Sequence, residues 1–261
     1  MKKKNDAMIK YIKRLFNKRA KIDTHLLPSQ GIFYKDDFEI KIRKASKLDI
    51  LEYENNYIKD DIGSIINGIK RIVEKNVEIK GNYDYNYIKS IDIIFIFLEI
   101  VKITKGEPVK LSYSDRKTNT GKEILFDSDH FNYFRIPEHV YNMYDPINKC
   151  FDIFGYKYSL PSIGVENSLT DFLVSKYYDT DSYKYNEYNY DFTYFVFDKD
   201  HLNFDEIENL IYVFNNDIDE GEMKNIKQVI DIFTPIQRYS LKKDGKIVDI
   251  NSKINLGKIW K

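Results

Sequence analysis

Hydrophobic residues recur at helical spacing in four stretches of the chain. Between residues 62 and 73 the isoleucines and the valine follow intervals of three and four, and residues 91–101 are almost wholly apolar. These patterns predict helices with a wide buried face, the second of them beginning near Asp84. The same periodicity predicts helices over residues 203–214 and 220–233. We expect the first two helices to pack together as the core of the N-terminal half.

Polar residues mark the starts of two more helices. Ser46 and Asp49 have the spacing of a capping box, in which a hydroxyl and a carboxylate three residues later each accept a backbone amide hydrogen bond. Ser168 and Asp171 repeat that spacing. The first box predicts a helix that runs to about residue 57. The apolar residues that we expect this helix to bury are Leu48, Ile50 and Leu51.

Short alternations of apolar and polar residues predict β-hairpins. Residues 32–43 and 150–160 each hold two such alternations around a turn. Turn residues between apolar runs are typical of hairpins. An exposed hairpin is predicted within residues 107–126, and a C-terminal one within residues 237–250.

Helices and hairpins together predict an α+β fold with a mixed helical core. Hairpin, connector and capped helix occur in that order twice, in residues 38–52 and 156–173, which suggests one supersecondary unit in two copies. The 261 residues are 43% hydrophobic, enough for one large domain or two small ones. We divide the chain into a basic amphipathic N-terminal arm (1–24), a hairpin and helical half (25–114) and an α+β half (115–261).

The charge balance and the cysteine count exclude several classes of protein. The 41 Lys and Arg residues match 41 Asp and Glu residues, so the chain as a whole is not directed to nucleic acid or an anionic membrane. A single cysteine cannot form an internal disulfide, and four scattered histidines offer no local metal site. No apolar run reaches the roughly 20 residues that span a bilayer. We expect a reduced, intracellular protein without metal or cofactor.

The N-terminal arm is the most basic part of the chain. Residues 1–23 contain nine Lys or Arg and two acids. Candidate partner-binding residues in this arm are Lys10, Lys13 and Arg14. Its apolar residues lie on one face of a predicted helix. Three uses remain open: a solvated surface helix, docking on a protein partner, and binding to nucleic acid or membrane.

Aromatic residues suggest two further contact regions. Residues 177–194 are rich in Tyr, Asn and Asp but contain one lysine, Lys184, which favours a protein interface or packed loop over nucleic-acid stacking. At the C-terminus, large apolar residues surround the only tryptophan, Trp260. Large apolar residues at a chain end are expected to pack against another protein surface. We expect Trp260 to dock on a partner or on the protein's own C-terminal half.

Catalytic motifs are not found in the sequence. Phosphate-binding glycine loops, the G-x-S-x-G nucleophile motif and the H-E-x-x-H zinc motif are all missing. An enzyme of unrecognised type would instead need a pocket lined by dispersed acids and histidines. The candidates for such a pocket are Asp84, Asp92, Asp127, Asp129, His130 and His139. We expect a protein that is not an enzyme.

Five segments resemble the T4-type bacteriophage baseplate hub and hub-assembly proteins of contractile tails. They are residues 27–34, 38–49, 105–110, 156–170 and 254–261, and they occur in the family's order. The resemblance extends over residues 26–261 and leaves out the basic arm. Some family members carry paired cysteines near the middle hairpin. This chain has none there, so a zinc site is not implied.

The resemblance implies a structural or assembly protein of the virion. Such a protein binds other tail and baseplate hub proteins, has no small-molecule substrate, and resides in the tail baseplate or, during assembly, in the host cytoplasm. No functional residues are carried over by the resemblance. Two alternatives remain: a nucleic-acid-binding module that uses the basic arm, and an enzyme of unrecognised type.

Overall fold

Helices dominate the fold and strands form small sheets, which confirms the α+β class. The structure is a computed structural model. It describes residues 19–57, 62–114, 121–126, 136–177, 190–233, 240–243, 246–249, 256 and 259–260. The arm residues 1–18 and most of the tyrosine-rich stretch lie outside these ranges.

Seven α-helices are described. They are α1 (Lys47–Tyr57), α2 (Ile62–Asn76), α3 (Ile93–Lys105), α4 (Glu138–Tyr141), α5 (Ile163–Tyr177), α6 (Phe204–Tyr212) and α7 (Glu220–Phe233). The predicted helices over residues 62–73, 203–214 and 220–233 are confirmed. The helix expected from Asp84 begins only at Ile93, because two short 3-10 turns, over residues 85–87 and 90–92, precede it.

The described strands pair antiparallel in four small sheets. They are β1 (Ala20–Lys21), β2 (Glu39–Ile42), β3 (Val77–Lys80), β4 (Lys110–Ser114), β5 (Gly121–Leu125), β6 (Tyr144–Asp145), β7 (Cys150–Ile153), β8 (Tyr156–Tyr158), β9 (Ser240–Lys243) and β10 (Lys246–Asp249). The sheets are β1-β2-β3, β4-β5, β6-β7-β8 and β9-β10. The hairpins predicted within residues 107–126, 150–160 and 237–250 are therefore confirmed.

The hairpin predicted over residues 32–43 is wrong. Residues 32–34 belong to a series of tight turns, in which Gln30 and Gly31 adopt positive φ angles of 56° and 73°. Strand β2 pairs instead with β1 and with β3, which follows two helices later in the chain. The first of the two suggested hairpin-plus-helix units consequently lacks its hairpin. The alternation identified a strand correctly, but its partners are distant in sequence.

The capping box at the start of α1 is confirmed, and Ile50 packs against the core as predicted, but the predicted burial of Leu48 and Leu51 is wrong. The amide of Ser46 donates to Asp49 Oδ2 (2.8 Å), and the amide of Asp49 donates to Ser46 Oγ (3.1 Å). Leu48 is 64% exposed and Leu51 is also exposed, whereas Tyr53 is buried. The ring of Tyr53 packs where Gly68 of α2 leaves room for it. This close approach between helices sets the rotation of α1.

The start of α5 also differs from the prediction. The helix begins at Ile163, and Ser162 Oγ accepts the amide hydrogen bond of Val165 (3.2 Å). Ser168 lies in the middle of the helix, where its hydroxyl donates to the carbonyl of Gly164 (2.8 Å). The capping box predicted at Ser168 and Asp171 is therefore wrong. An upstream serine caps the helix and allows it to bury two more apolar residues.

Apolar side chains form three clusters. The first joins α2, α3 and the β1-β2-β3 sheet, and it confirms the predicted packing of the first two helices. It also buries Leu111 and Ile124 of the β4-β5 hairpin, which is therefore exposed on one side only. The second cluster contains Phe151 and Phe233, and the third contains Phe192. No helix in the described ranges is long and apolar enough to cross a membrane.

Candidate functional site

A buried carboxylate joins two distant segments of the chain. Asp92 ends the turn before α3 and is completely buried. Its Oδ1 accepts a hydrogen bond from the amide of Ser29 (2.8 Å), and its Oδ2 accepts from the hydroxyls of Ser29 and Tyr34 (2.6 Å each). Three donors thus compensate the burial of one acid. These bonds hold the turns of residues 27–34 against the start of α3.

A buried lysine connects this carboxylate to a third segment. The amide of Lys89 donates to the Tyr34 hydroxyl (2.9 Å), and Lys89 Nζ donates to Ser159 Oγ (3.3 Å). The backbone of residues 88–90 also forms hydrogen bonds with the backbone of residues 161–163. We call Ser29, Tyr34, Lys89, Asp92 and Ser159 the Asp92 cluster.

Burial shifts the pKa values of the two charged groups in the cluster toward neutrality. Burial raises the pKa of Asp92 to about 6, although the hydrogen bonds from Ser29 and Tyr34 and the charge of Lys89 favour the carboxylate. Burial lowers the pKa of Lys89 to about 8, while the negative charge of Asp92 opposes that change. Each of the two charges therefore favours the charged form of the other. Shifted pKa values are typical of functional sites, but they also occur in structural networks.

The geometry of the Asp92 cluster fits a structural role. Both oxygens of Asp92 are engaged by donors from the protein itself, and the side chain is sealed from solvent. The nearby cavity is lined by Ser90 and Ile91, and Lys89 and Asp92 do not line it. A substrate that entered this cavity would not contact either charged group. The cluster therefore joins three segments of the chain.

The raised pKa of Asp92 predicts how stability changes with pH. A carboxyl with a higher pKa in the folded state than in the unfolded state binds more protons when folded, so its contribution to stability is lost as pH rises through 6. We expect the free energy of unfolding of the parent, measured relative to Asp92→Asn, to increase by about 1 kcal/mol between pH 7.5 and pH 5. Urea denaturation of both proteins at each pH measures the difference. A constant difference would show that Asp92 does not titrate in this range.

An apolar cavity of about 300 Å³ lies near the cluster. Most of its wall comes from isoleucines of α2 and α3 and from Leu160 and Pro161. On its polar side, Lys70 Nζ lies 3.7 Å from Glu166 Oε2 and donates to Asn167 Oδ1 (3.0 Å). Burial raises the pKa of Glu166. The two charges oppose each other, so the cavity suits an apolar group better than an ion.

The structure does not bring the predicted acids and histidines together in a pocket. Asp84 is exposed and accepts the amide hydrogen bond of Asn86, and His139 is exposed on α4. Asp92 alone among the candidates in the described ranges is buried. Asp127, Asp129, His130, Lys10, Lys13 and Arg14 lie outside the described residues. Within the described ranges, no group of three or more His, Cys, Asp or Glu is arranged to hold a metal ion.

Trp260 docks on the N-terminal half of the protein. Its ring meets Tyr53 and Phe97 edge-on, at centroid distances of 6.5 and 6.0 Å. The neighbouring Ile259 is buried, and the Tyr53 hydroxyl donates to the carbonyl of Leu256 (3.2 Å). The expectation that Trp260 docks on its own C-terminal half is therefore wrong. The packing of Trp260 against α1 and α3 could not be predicted from the sequence, because more than 150 residues separate the partners.

Removing the tryptophan ring should destabilise the fold. We expect Trp260→Ala to lower the free energy of unfolding by about 3 kcal/mol, because it leaves a void beside Tyr53 and Phe97. Tyr212→Ala, which removes an exposed ring, is the matched control and should change stability by less than about 0.5 kcal/mol. Chemical denaturation of the three proteins measures both effects. Equal stability of the two variants would mean that Trp260 does not contribute to the core.

Comparison of the chain with protein-family models, with curated proteins and with solved structures found no significant match.

Proposed function

We propose that the protein is a non-enzymatic bacteriophage tail protein, a structural component or assembly factor of the baseplate hub of a contractile tail. One observation carries the proposal. Two of the segments that resemble the hub family, residues 27–34 and 156–170, supply Ser29, Tyr34 and Ser159 of the Asp92 cluster. The segments that resemble the family thus contain residues of a buried network that stabilises the fold. Such residues are expected to be similar in proteins that share a fold.

The chemistry of the buried polar groups supports a role without catalysis. The Asp92 oxygens accept hydrogen bonds from the protein, and the charged groups of the cavity pair with each other. A catalytic acid or base must instead reach a substrate atom. We therefore place the activity of the protein on its surface, in contacts with other tail and hub proteins.

An exposed apolar region is suited to such contacts. Residues 141–154 present four large apolar side chains to solvent, with Ile147 80% exposed and Phe154 60% exposed. The four residues are Tyr141, Met143, Ile147 and Phe154. Large apolar side chains that are exposed to solvent are suited to contacts with other proteins. We call residues 141–154 the apolar segment.

Co-expression with neighbouring genes tests the proposal. We expect genes that encode tail and baseplate proteins to flank the coding sequence, and we expect this chain to co-elute with one of their products in size-exclusion chromatography. The double variant Ile147→Asp/Phe154→Asp should stay folded, because both side chains are exposed, and should leave the complex. The matched control, Val174→Asp/Tyr212→Asp, changes exposed residues elsewhere and should remain bound.

Other outcomes would favour the alternatives. Elution of the chain alone, with no tail or baseplate gene nearby, would contradict the proposal. DNA binding that weakens steeply with salt and is lost on deletion of residues 1–21 would favour a nucleic-acid-binding module.

A further inference from the structure

One side of the β1-β2-β3 sheet is a charged surface. Ile40 and Ile42 of β2 point into the core, so the alternate residues of that strand face the other way. The strand register places Lys21 opposite Lys41, Lys41 opposite Glu78, and Glu39 opposite Lys80. Opposed residues share a face of the sheet. We call the set Arg19, Lys21, Glu39, Lys41, Glu78 and Lys80 the basic face.

One carboxylate on the basic face is surrounded by three ammonium groups. Glu39 Oε2 lies 2.6 Å from Lys21 Nζ, and Glu39 Oε1 lies 3.0 Å from Lys80 Nζ and 3.4 Å from Lys41 Nζ. These lysines lower the pKa of Glu39 to about 2. Arg19 and Glu78 form a separate ion pair. The three lysines therefore carry more positive charge than Glu39 can neutralise.

The arrangement of these lysines is unfavourable for the sheet itself. Lys21 and Lys41 lie directly opposite each other on adjacent strands, and like charges in that position are destabilising. Glu39 relieves the repulsion only in part. Further carboxylates beside the lysines would reduce the remaining positive charge. Lys21 and Lys80, with side chains 64% and 53% exposed, are accessible to such a group from solvent.

The sequence continues the positive charge beyond the sheet. Residues 1–18 precede β1 directly and contain seven Lys or Arg and one acid. This segment leads into β1, which is an edge strand of the sheet.

We propose that the basic face binds a segment of a protein partner rich in Asp and Glu. A protein segment fits better than nucleic acid, because Glu39 and Glu78 interrupt the positive charge that a phosphate backbone would follow. The six residues also include no aromatic ring on which a base could stack. This inference rests on the proposed function only for the identity of the partner as a tail or hub protein.

Binding of fluorescent poly-L-glutamate, measured by anisotropy in about 50 mM NaCl, tests the proposal. We expect Lys21→Gln/Lys80→Gln to bind about tenfold more weakly than the parent, because two accessible charges are lost. The matched control, Lys224→Gln/Lys227→Gln, removes two exposed charges from α7 and should bind like the parent. Thermal unfolding verifies that each variant is folded. Glutamine keeps the length and polarity of lysine, which limits the structural effect.

Three results would overturn the proposal. The first is a parent that does not bind poly-L-glutamate. The second is an equal loss of affinity in both double variants. The third is a DNA duplex that binds more tightly than poly-L-glutamate and whose binding depends on Lys21 and Lys80. The assay contains no tail protein, so its outcome is separate from the co-expression test. A tail complex that forms without these lysines defeats this inference alone. Binding of poly-L-glutamate without any tail complex defeats the proposed function alone.

Discussion

Replacing Asp92 with alanine is expected to lower the free energy of unfolding by about 3–5 kcal/mol. The change removes the acceptor for the Ser29 amide and for the hydroxyls of Ser29 and Tyr34. It also leaves the buried ammonium of Lys89 without the negative charge of Asp92, which favours its charged form. Urea denaturation at pH 7 measures the loss.

Two further variants make the Asp92 prediction specific. Asp92→Asn keeps an oxygen that can accept the Ser29 amide, so we expect it to lose roughly half as much stability as the alanine variant. Asp198→Ala removes an exposed acid and should change stability by less than about 0.5 kcal/mol. If Asp92→Ala proves as stable as the parent, the cluster does not join the three segments as described.

The second large effect is expected at Gly164, in the first turn of α5. A Cβ atom built there overlaps the carbonyl oxygen of Asp200 and lies 2.8 Å from Asn86 Cβ. Backbone cannot move aside as a flexible side chain can, so the helix would have to shift. We expect Gly164→Ala to lower the free energy of unfolding by about 3 kcal/mol. Thermal or urea denaturation measures the change.

Gly221 in the first turn of α7 provides the matched control for Gly164. The nearest atom to a Cβ at Gly221 is a carboxylate oxygen of Asp219, 3.2 Å away at the end of a side chain. Alanine usually stabilises a helix relative to glycine by up to about 1 kcal/mol. Gly221→Ala should therefore be neutral or stabilising. A Gly164→Ala protein as stable as Gly221→Ala would show that α5 does not approach Asp200 so closely.

Elements that depend on local sequence were predictable. The periodicity of α7 marked its bounds, Glu220–Phe233, because one apolar stripe packs against the core. Asn203 and Glu206 form a complete capping box at the start of α6. At the β7-β8 turn, Phe154 and Gly155 take the positive φ angles that a tight hairpin requires. Each of these signals lies within a few residues of the element it specifies.

Features that depend on distant residues were not predictable. The partners of β2 come from before it and from beyond α2, so its alternation could not reveal them. The buried face of α1 follows from the contact between Tyr53 and Gly68, which outweighs the exposed Leu48. Local patterns report that a segment is amphipathic, but the segment's neighbours decide which side is covered.

The sequence indicated the buried acid of the Asp92 cluster but not its hydrogen-bond partners. An acid inside the apolar run of residues 91–101 is a signal of a buried polar network, because an unpaired carboxylate there would be costly. Its hydrogen-bond partners were hidden, since Ser29 and Tyr34 lie 63 and 58 residues away. Nothing in the spacing of Lys89 and Ser159 identified them as neighbours.

Hydrogen–deuterium exchange tests most directly whether the chain works through surface contacts. The measurement compares the free chain with the chain co-expressed with, and bound to, the product of a flanking tail gene. We predict slower exchange in β1, β3 and the apolar segment on binding. We predict unchanged exchange at the amides of residues 88, 89, 90 and 92, which are already hydrogen-bonded in the free chain. Failure to form any complex, or protection confined to the cavity walls around Glu166, would contradict a role through these surfaces.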